Sequence, residues 1–569
     1  MIKPAQSYIM FRLLMKYLWQ KYCFYSSKLQ REEFRDMNID DFFTKTGTYG
    51  WFQKRTYIFI FLVTLGGCMQ AFLQVFVAGQ GDHWCRVSQW ENDTCDFTNV
   101  SQSECRELKR RLSTPLTNDD VLQSCQKYNL TGVDLETAIE DNITHYDVIG
   151  CDEGWYFDNS VFRSTMTEDW NLVCDNFGIP NLLQSIYMVG YLAGSVVYGS
   201  LADRFGRYYI LLFCSFSAGG LGVLSALSPN VYIYGALRLL VGASVYGSIL
   251  VGFVLGTEIV SPKARVLFGV ALWYAEALAF FLLPGLARII PSWRWLIMVS
   301  SLVYFAIIPG VWLIYESPRW LLTKKRTQAA ESVMRTIARV NGSDVAVETY
   351  TDVKNDDDED DDDRKAAIIF DLLRSPVMEK NLLGLLFNWF VQSFVYYGLS
   401  LGTSSLGGDV YLSFCLSGGA EVLSFLVCIP AMNKFGRKWS ASFFLFLAGF
   451  ACFGTILSPL GPIRVTVAMI GKFAITASFT IIYVYSAEIF PTPLRIMCVG
   501  FCSVAARVGG IVAPLILVLE RAWPSLPMIC FSSSSLLAGC LVFILPETKG
   551  KRMPDTIQES IDLKKPLQV

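Results

Sequence analysis

Histidine is almost missing from this chain: there are two in 569 residues, His83 and His145. Both lie outside the long apolar runs, so those runs hold no histidine-based metal site or proton relay. Charge is scarce too, at 17% of residues against the roughly 25% of soluble domains. With a formal net charge of -2 and no basic stripe, nothing points to a nucleic-acid partner. The sequence has no HExxH, no catalytic-triad spacing and no GxGD-type aspartate pair, so an intramembrane enzyme would lack its reaction centre, and no cofactor or metal is expected. Residues 1–36 carry Lys3, Arg12, Lys16, Lys21, Lys28 and Arg31 without a small-residue cleavage site, which argues against a signal peptide. An interfacial amphipathic helix and an extension upstream of a start at Met37 both remain open.

What is abundant is apolar: 53% of residues are hydrophobic and 14% aromatic, and the mean hydropathy is +0.38. A first span is expected at 57–78, then five more centred near 190, 217, 243, 277 and 304, and six near 391, 421, 447, 475, 507 and 534. They divide the chain into an N-terminal segment (1–56), the first span (57–78), a polar loop (79–177), spans two to six (180–315), a middle loop (316–380), a second six-span block (381–545) and a tail (546–569). Arg204, Arg207, Lys263, Arg265, Lys434, Arg437, Lys438 and Arg495 fall in loops assigned inside, against Arg288, Arg294, Arg464 and Arg521 outside. This places both termini and the middle loop in the cytoplasm, with the polar loop outside the cell.

That loop carries six of the sixteen cysteines: Cys85, Cys95, Cys105, Cys125, Cys151 and Cys174. It also carries four acceptor sequons, at Asn92, Asn99, Asn129 and Asn142. The combination predicts a disulfide-bonded, glycosylated extracellular loop whose pairing is open among fifteen connectivities. A further sequon at Asn341 lies on the cytoplasmic side and should be unused. The acidic run 356–363 lacks the spaced ligands and glycine of a calcium loop and reads as a solvated tract.

The two blocks repeat. LADRFGR at Leu201 corresponds to AMNKFGR at Ala431, and EIVSPKAR at Glu258 to EIFPTPLR at Glu488, each displaced by 230 residues. Constant displacement predicts two six-helix bundles related by duplication, with substrate bound between them near mid-membrane. The stretch GSVVYGSLADRFGR (Gly194–Arg207) joins two spans through a tight charged turn, with Gly194 and Gly199 suited to close helix packing. It resembles the signature of the major facilitator superfamily, which implies an all-α integral membrane protein of twelve transmembrane helices in two pseudo-symmetric six-helix bundles.

Further motifs narrow the resemblance: STMTEDWNLVCDN at Ser164, ESPRWLL at Glu316, GKFAITASF and YSAEIFPTPLR around the tenth span, and PETKGKRMPDT at Pro546. Together they resemble the organic cation, organic anion and carnitine transporter family over about residues 37–561. The resemblance implies polyspecific, ATP-independent movement of small organic ions across the plasma membrane by alternating access. Potential, exchange or a coupling ion, Na+ or H+, would drive it.

Ionisable groups inside spans are costly and therefore functional candidates. Glu421 matches a glutamate of cation and carnitine transporters. Arg507 stands where anion and carnitine transporters carry arginine and cation transporters aspartate. Phe425 replaces a lysine of anion transporters, and Glu276 departs from a usually apolar or aromatic position. Glu421 and Glu276 against Arg507 suit a zwitterion such as a carnitine-like compound, or a cation. The alternatives are an organic anion exchanger, a substrate sensor without turnover, and an Arg507 that merely neutralises one glutamate. Trp389, Gln392, Tyr396 and Tyr397 of the seventh span supply polar and aromatic faces for amines, Trp389 and Tyr396 lying seven apart on one face. At the cytoplasmic rim, Asp203, Arg204 and Arg207, Glu258 with Arg265, and Glu488 with Arg495 are expected to form a conformational latch. Asn433 replaces the acid in the second copy, and Arg238 and Lys472 either join the rim or snorkel to the interface.

Overall fold

Pro180, Pro262, Pro376 and Pro462 each sit in the first turn of a long helix, where a missing N–H costs nothing. Asn230 and Asp409 start two more, their side chains accepting from Ile233 N at 2.9 Å and Leu412 N at 3.0 Å. The computed structural model describes residues 39–91, 93, 95, 102–116, 122–140, 145–343 and 375–563. Asn92, Asn99, Asn142, the acidic run and the N-terminal 38 residues lie outside these.

Among the described residues, eleven helical stretches are long and apolar enough to cross a membrane. Span 1 is Trp51–Phe72 continued by Gln74–Val77, and spans 2 to 5 are Ile179–Phe205, Arg207–Ala226, Val231–Glu258 and Pro262–Ile289. Span 6 runs from Trp293–Leu302 through a 3-10 turn to Gly310–Leu313. Spans 7 to 11 are Pro376–Leu401, Val410–Phe435, Arg437–Leu457, Pro462–Ile489 and Thr492–Leu517. The twelfth, Leu526–Val542, has 17 residues. At 1.5 Å per residue it falls a few ångströms short of a ~30 Å hydrocarbon layer.

The duplication governs the packing. Span 4 lies against 1, 2 and 3 and span 10 against 7, 8 and 9, while 5 packs on 1 as 11 packs on 7. The bundles meet where span 2 touches 11 and span 5 touches 8. Spans 2 and 3, and likewise 8 and 9, are joined through one glycine each, Gly206 at φ 112° and Gly436 at φ 92°, values that strain any other residue. Close approach of spans 2 and 4 depends on Gly190 and Gly194, where a β-carbon would strike the backbone of Leu239 and Ala243. Gly199 has no such role, since a β-carbon there would lie 3.7 Å from the Leu250 side chain.

The loop before span 2 departs from an all-helical plan. His83–Cys85 pairs with Trp155–Phe157, and Gln126–Tyr128 with Val148–Gly150, as two small antiparallel ribbons. Disulfides Cys85–Cys151, Cys95–Cys105 and Cys125–Cys174 tie them together, selecting one of the fifteen connectivities. Asn129 is exposed there. Asn341 is not a surface acceptor: its side chain accepts from Phe52 N at 3.0 Å and donates to Gln53 Oε1 at 3.0 Å, capping span 1, which has no cap of its own.

Candidate substrate site and rim contacts

Glu421 of span 8 is fully buried, and the group that neutralises it is Lys472 of span 10. The Nζ lies 2.8 Å from Glu421 Oε1, with both side chains 1% exposed. Lys472 also donates to Ser400 Oγ and sits 3.3 Å from the centre of the Tyr396 ring. It therefore neither snorkels nor joins the rim. Arg238 does neither as well: 1% exposed, it donates to Gln70 Oε1 at 3.0 Å and Gln70 O at 3.1 Å and lies 4.1 Å from the Tyr187 ring.

Tyr396 carries the cluster across the bundle boundary. Its hydroxyl lies 2.6 Å from Glu421 Oε1 and 2.8 Å from Glu276 Oε1 on span 5. Arg507 stands apart. Its Nη2 donates to Tyr246 OH of span 4, and the guanidinium lies 4.2 Å from that ring. Among the described residues it forms no ion pair and its Nε has no partner, so Arg507 does not neutralise a glutamate.

The span 7 residues divide. Tyr396 touches both carboxylates, but Trp389 is buried inside the C-terminal bundle, donating to Ser486 Oγ at 2.9 Å, its ring 4.2 Å from that of Tyr483. Gln392 is equally buried and donates to Ser478 Oγ at 3.2 Å, while Tyr397 lies 5.3 Å from Tyr396, ring to ring. Toward the disulfide loop, Phe72, Phe76 and Phe280 of one bundle close against Phe414 of the other, at 6.0, 5.2 and 4.5 Å between ring centres. On the loop side, a cavity of about 240 Å³ opens between the bundles, lined by Gln74, Gln184, Leu401, Leu517 and Glu520.

The rim pairs form differently from what their spacing suggests. Arg207 bridges Asp203 at 2.9 Å and Glu258 at 3.3 Å, and Arg437 takes Glu488 at 2.8 Å. Arg265 turns to Asp40, which Arg319 also holds, and Arg495 donates to Thr492 Oγ1 at 3.4 Å. Arg204 is exposed over the Phe205 ring. Sequence reasoning missed the acid that organises each turn. Glu316 Oε1 accepts from Arg207 N and Ser317 N at 2.9 Å each, and Glu547 Oε1 accepts from Arg437 N at 3.0 Å and Thr548 N at 2.9 Å. Each carboxylate meets the unsatisfied N–H groups of a helix start. Their signal was in the sequence, as the glutamates of ESPRWLL and PETKG, 231 residues apart.

Residues 180–557 match the family described as Sugar (and other) transporter. The chain is 33% identical over 533 residues to the organic cation transporter protein of Drosophila melanogaster, covering 92% of this chain and 94% of that one. It is 32% identical over 541 residues to solute carrier family 22 member 3 of Mus musculus (92% and 95% covered), and 31% identical over 533 to solute carrier family 22 member 6-A of Xenopus laevis (92% and 94%). Among solved structures, the inward-open xylose transporter XylE of E. coli superposes with a TM-score of 0.55 at 15% identity, covering 88% of this chain and 98% of that one. That likeness extends to the fold alone. The chain is thus a membrane transporter of the major facilitator superfamily and belongs within it to solute carrier family 22, the organic cation, organic anion and carnitine transporters.

Proposed function

We propose that the chain carries small organic zwitterions or cations, with carnitine-like compounds the best single description, by alternating access across the plasma membrane. The observation that supports this is the unequal treatment of the buried charges: Lys472 consumes Glu421, leaving the guanidinium of Arg507 and the carboxyl of Glu276 without ionic partners among the described residues. A guanidinium free of a carboxylate offers two N–H groups to a substrate carboxylate. Glu276, beside Tyr396, offers an acid and an aromatic face to an ammonium group. Positive charge at the rim turns, with the disulfide loop at the other end, supports cytoplasmic termini and an extracellular, glycosylated loop. The closed layer of Phe72, Phe280 and Phe414 then faces the outside.

The Glu421–Lys472 pair favours a second reading. When Glu276 is neutral, the site carries net positive charge, as an organic anion exchanger requires. Uptake of tetraethylammonium, carnitine and glutarate by expressing cells, with and without Arg507→Asp, separates the two. We expect the aspartate to raise tetraethylammonium uptake relative to glutarate by tenfold or more, about 1.4 kcal/mol of discrimination. An unchanged ratio refutes a substrate-facing Arg507. A chain that binds these ions but accumulates none of them is a sensor.

A further inference from the structure

The cluster around Tyr396 contains more acceptors than its hydrogens can serve if both glutamates are ionised. The phenol has one hydrogen, yet its oxygen lies at hydrogen-bond distance from Glu421 Oε1 and from Glu276 Oε1, 2.6 and 2.8 Å away. With two carboxylates ionised, one of these contacts would set an anionic oxygen against the lone pairs of another oxygen. A second hydrogen is therefore present on a carboxyl. Glu421 Oε1 also accepts from Lys472 Nζ at 2.8 Å and is the ionised member. The hydrogen belongs to Glu276, which donates to Tyr396, which donates to Glu421.

Glu276 is also the accessible end of this chain of bonds, being half-buried where Glu421 and Lys472 are sealed. The ionisable groups near enough to act on it are Lys472, Arg507, Glu421, Tyr396, Tyr397, Tyr483 and Cys68, of which Tyr396 touches it. Of the two carboxylates that touch Tyr396, Glu276 is the one left to pair with a substrate's cationic group.

We infer that Glu276 is a proton-binding site at which a proton and the cationic group of the substrate alternate, making the chain a proton exchanger. The inference rests on the carrier reading above. On the side to which the site is open, the Glu276 O–H bond breaks, the proton passes to water, and the carboxylate pairs with the incoming cation. On the other side the substrate leaves and water returns a proton to the carboxylate. A zwitterion exchanged for one proton moves one positive charge against the substrate, and a permanent cation so exchanged moves none.

The test uses the purified full-length chain in liposomes with a pH-sensitive dye trapped inside. Counterflow of labelled carnitine and tetraethylammonium examines the carrier reading first. Carnitine added outside should then make the lumen more alkaline, one proton leaving per carnitine gained. Acidifying the substrate side should weaken apparent affinity by up to about tenfold per pH unit, the limit for one competing proton. Glu276→Gln should bring the proton count per carnitine to zero; if that variant cannot be recovered folded, the wild-type count decides alone. A lumen that stays at constant pH during carnitine uptake, one that acidifies, uptake that follows sodium instead of pH, or an unchanged count in Glu276→Gln would overturn the inference and leave the carrier reading standing. Absence of counterflow for both probes would overturn both.

Discussion

Removing Lys472 while keeping its length and bulk, as Lys472→Met does, would strand the Glu421 carboxylate. Glu421 would keep the Tyr396 hydroxyl at 2.6 Å, but its Oε2 already has no partner and the whole side chain is inaccessible. Breaking a buried pair from one side costs about 3–5 kcal/mol because the surviving charge cannot return to water. Replacing both members removes that charge, so Glu421→Gln with Lys472→Met should lie within about 1–2 kcal/mol of the wild type on either side. The assay is heat unfolding of the detergent-purified chain at one fixed heating rate, followed by the fluorescence of its 14 tryptophans. Ranking at one rate matters because unfolding of a chain this large is governed by a rate. The single variant should unfold well below the wild type and the double variant close to it. A single variant as stable as the wild type, or a double variant as impaired as the single, would refute the pairing.

Gly194→Val should disrupt the contact of spans 2 and 4, since its side chain would enter the Ala243 backbone; overpacking of this kind costs about 1–3 kcal/mol or more. Surface expression should fall for Gly194→Val and hold for Gly199→Ala, and equal expression would sink the packing argument. In the disulfide loop, Ser88 N donates to Glu153 Oε2 at 2.6 Å, and this bond, assisted by Lys127, holds the Glu153 carboxyl below its usual 4.5. A carboxyl lowered on folding stabilises the loop fully above the unfolded value and ceases to do so as pH falls through the folded one. Limited proteolysis of the loop should therefore accelerate below about pH 4.5 in the wild type and do so less in Glu153→Gln. Identical acid profiles would exclude this role.

The duplication was legible because periodic apolar runs and a fixed offset survive as strings of letters. The identities of the neutralising partners were not, because helix rotation and tilt decide them. Lys472 reads equally well as a rim or snorkelling lysine until span 10 is turned against span 8. Arg265 has an acid seven residues earlier on its own strand of sequence, Glu258, yet meets Asp40, 225 residues away. Gly194 and Gly199 look alike in sequence, and only Gly194 faces a neighbouring backbone. Trp389 and Tyr396 share a helical face, as seven-residue spacing requires. Both rings lie near Phe479 of span 10, yet Trp389 bonds to Ser486 of its own bundle and Tyr396 reaches Glu276 of the other, a difference of polar partners that spacing does not show.

Asn433, where the first half has Asp203, leaves the two charged turns with unequal clasps. Arg207 holds two acids and Arg437 one, although Asp203 is 75% exposed and such a contact contributes at most about 1 kcal/mol. An imbalance that small cannot lock either half. A conformational cycle built from twin parts need not then be symmetric in time, and Asn433→Asp is the substitution that would return the missing acid to the second turn.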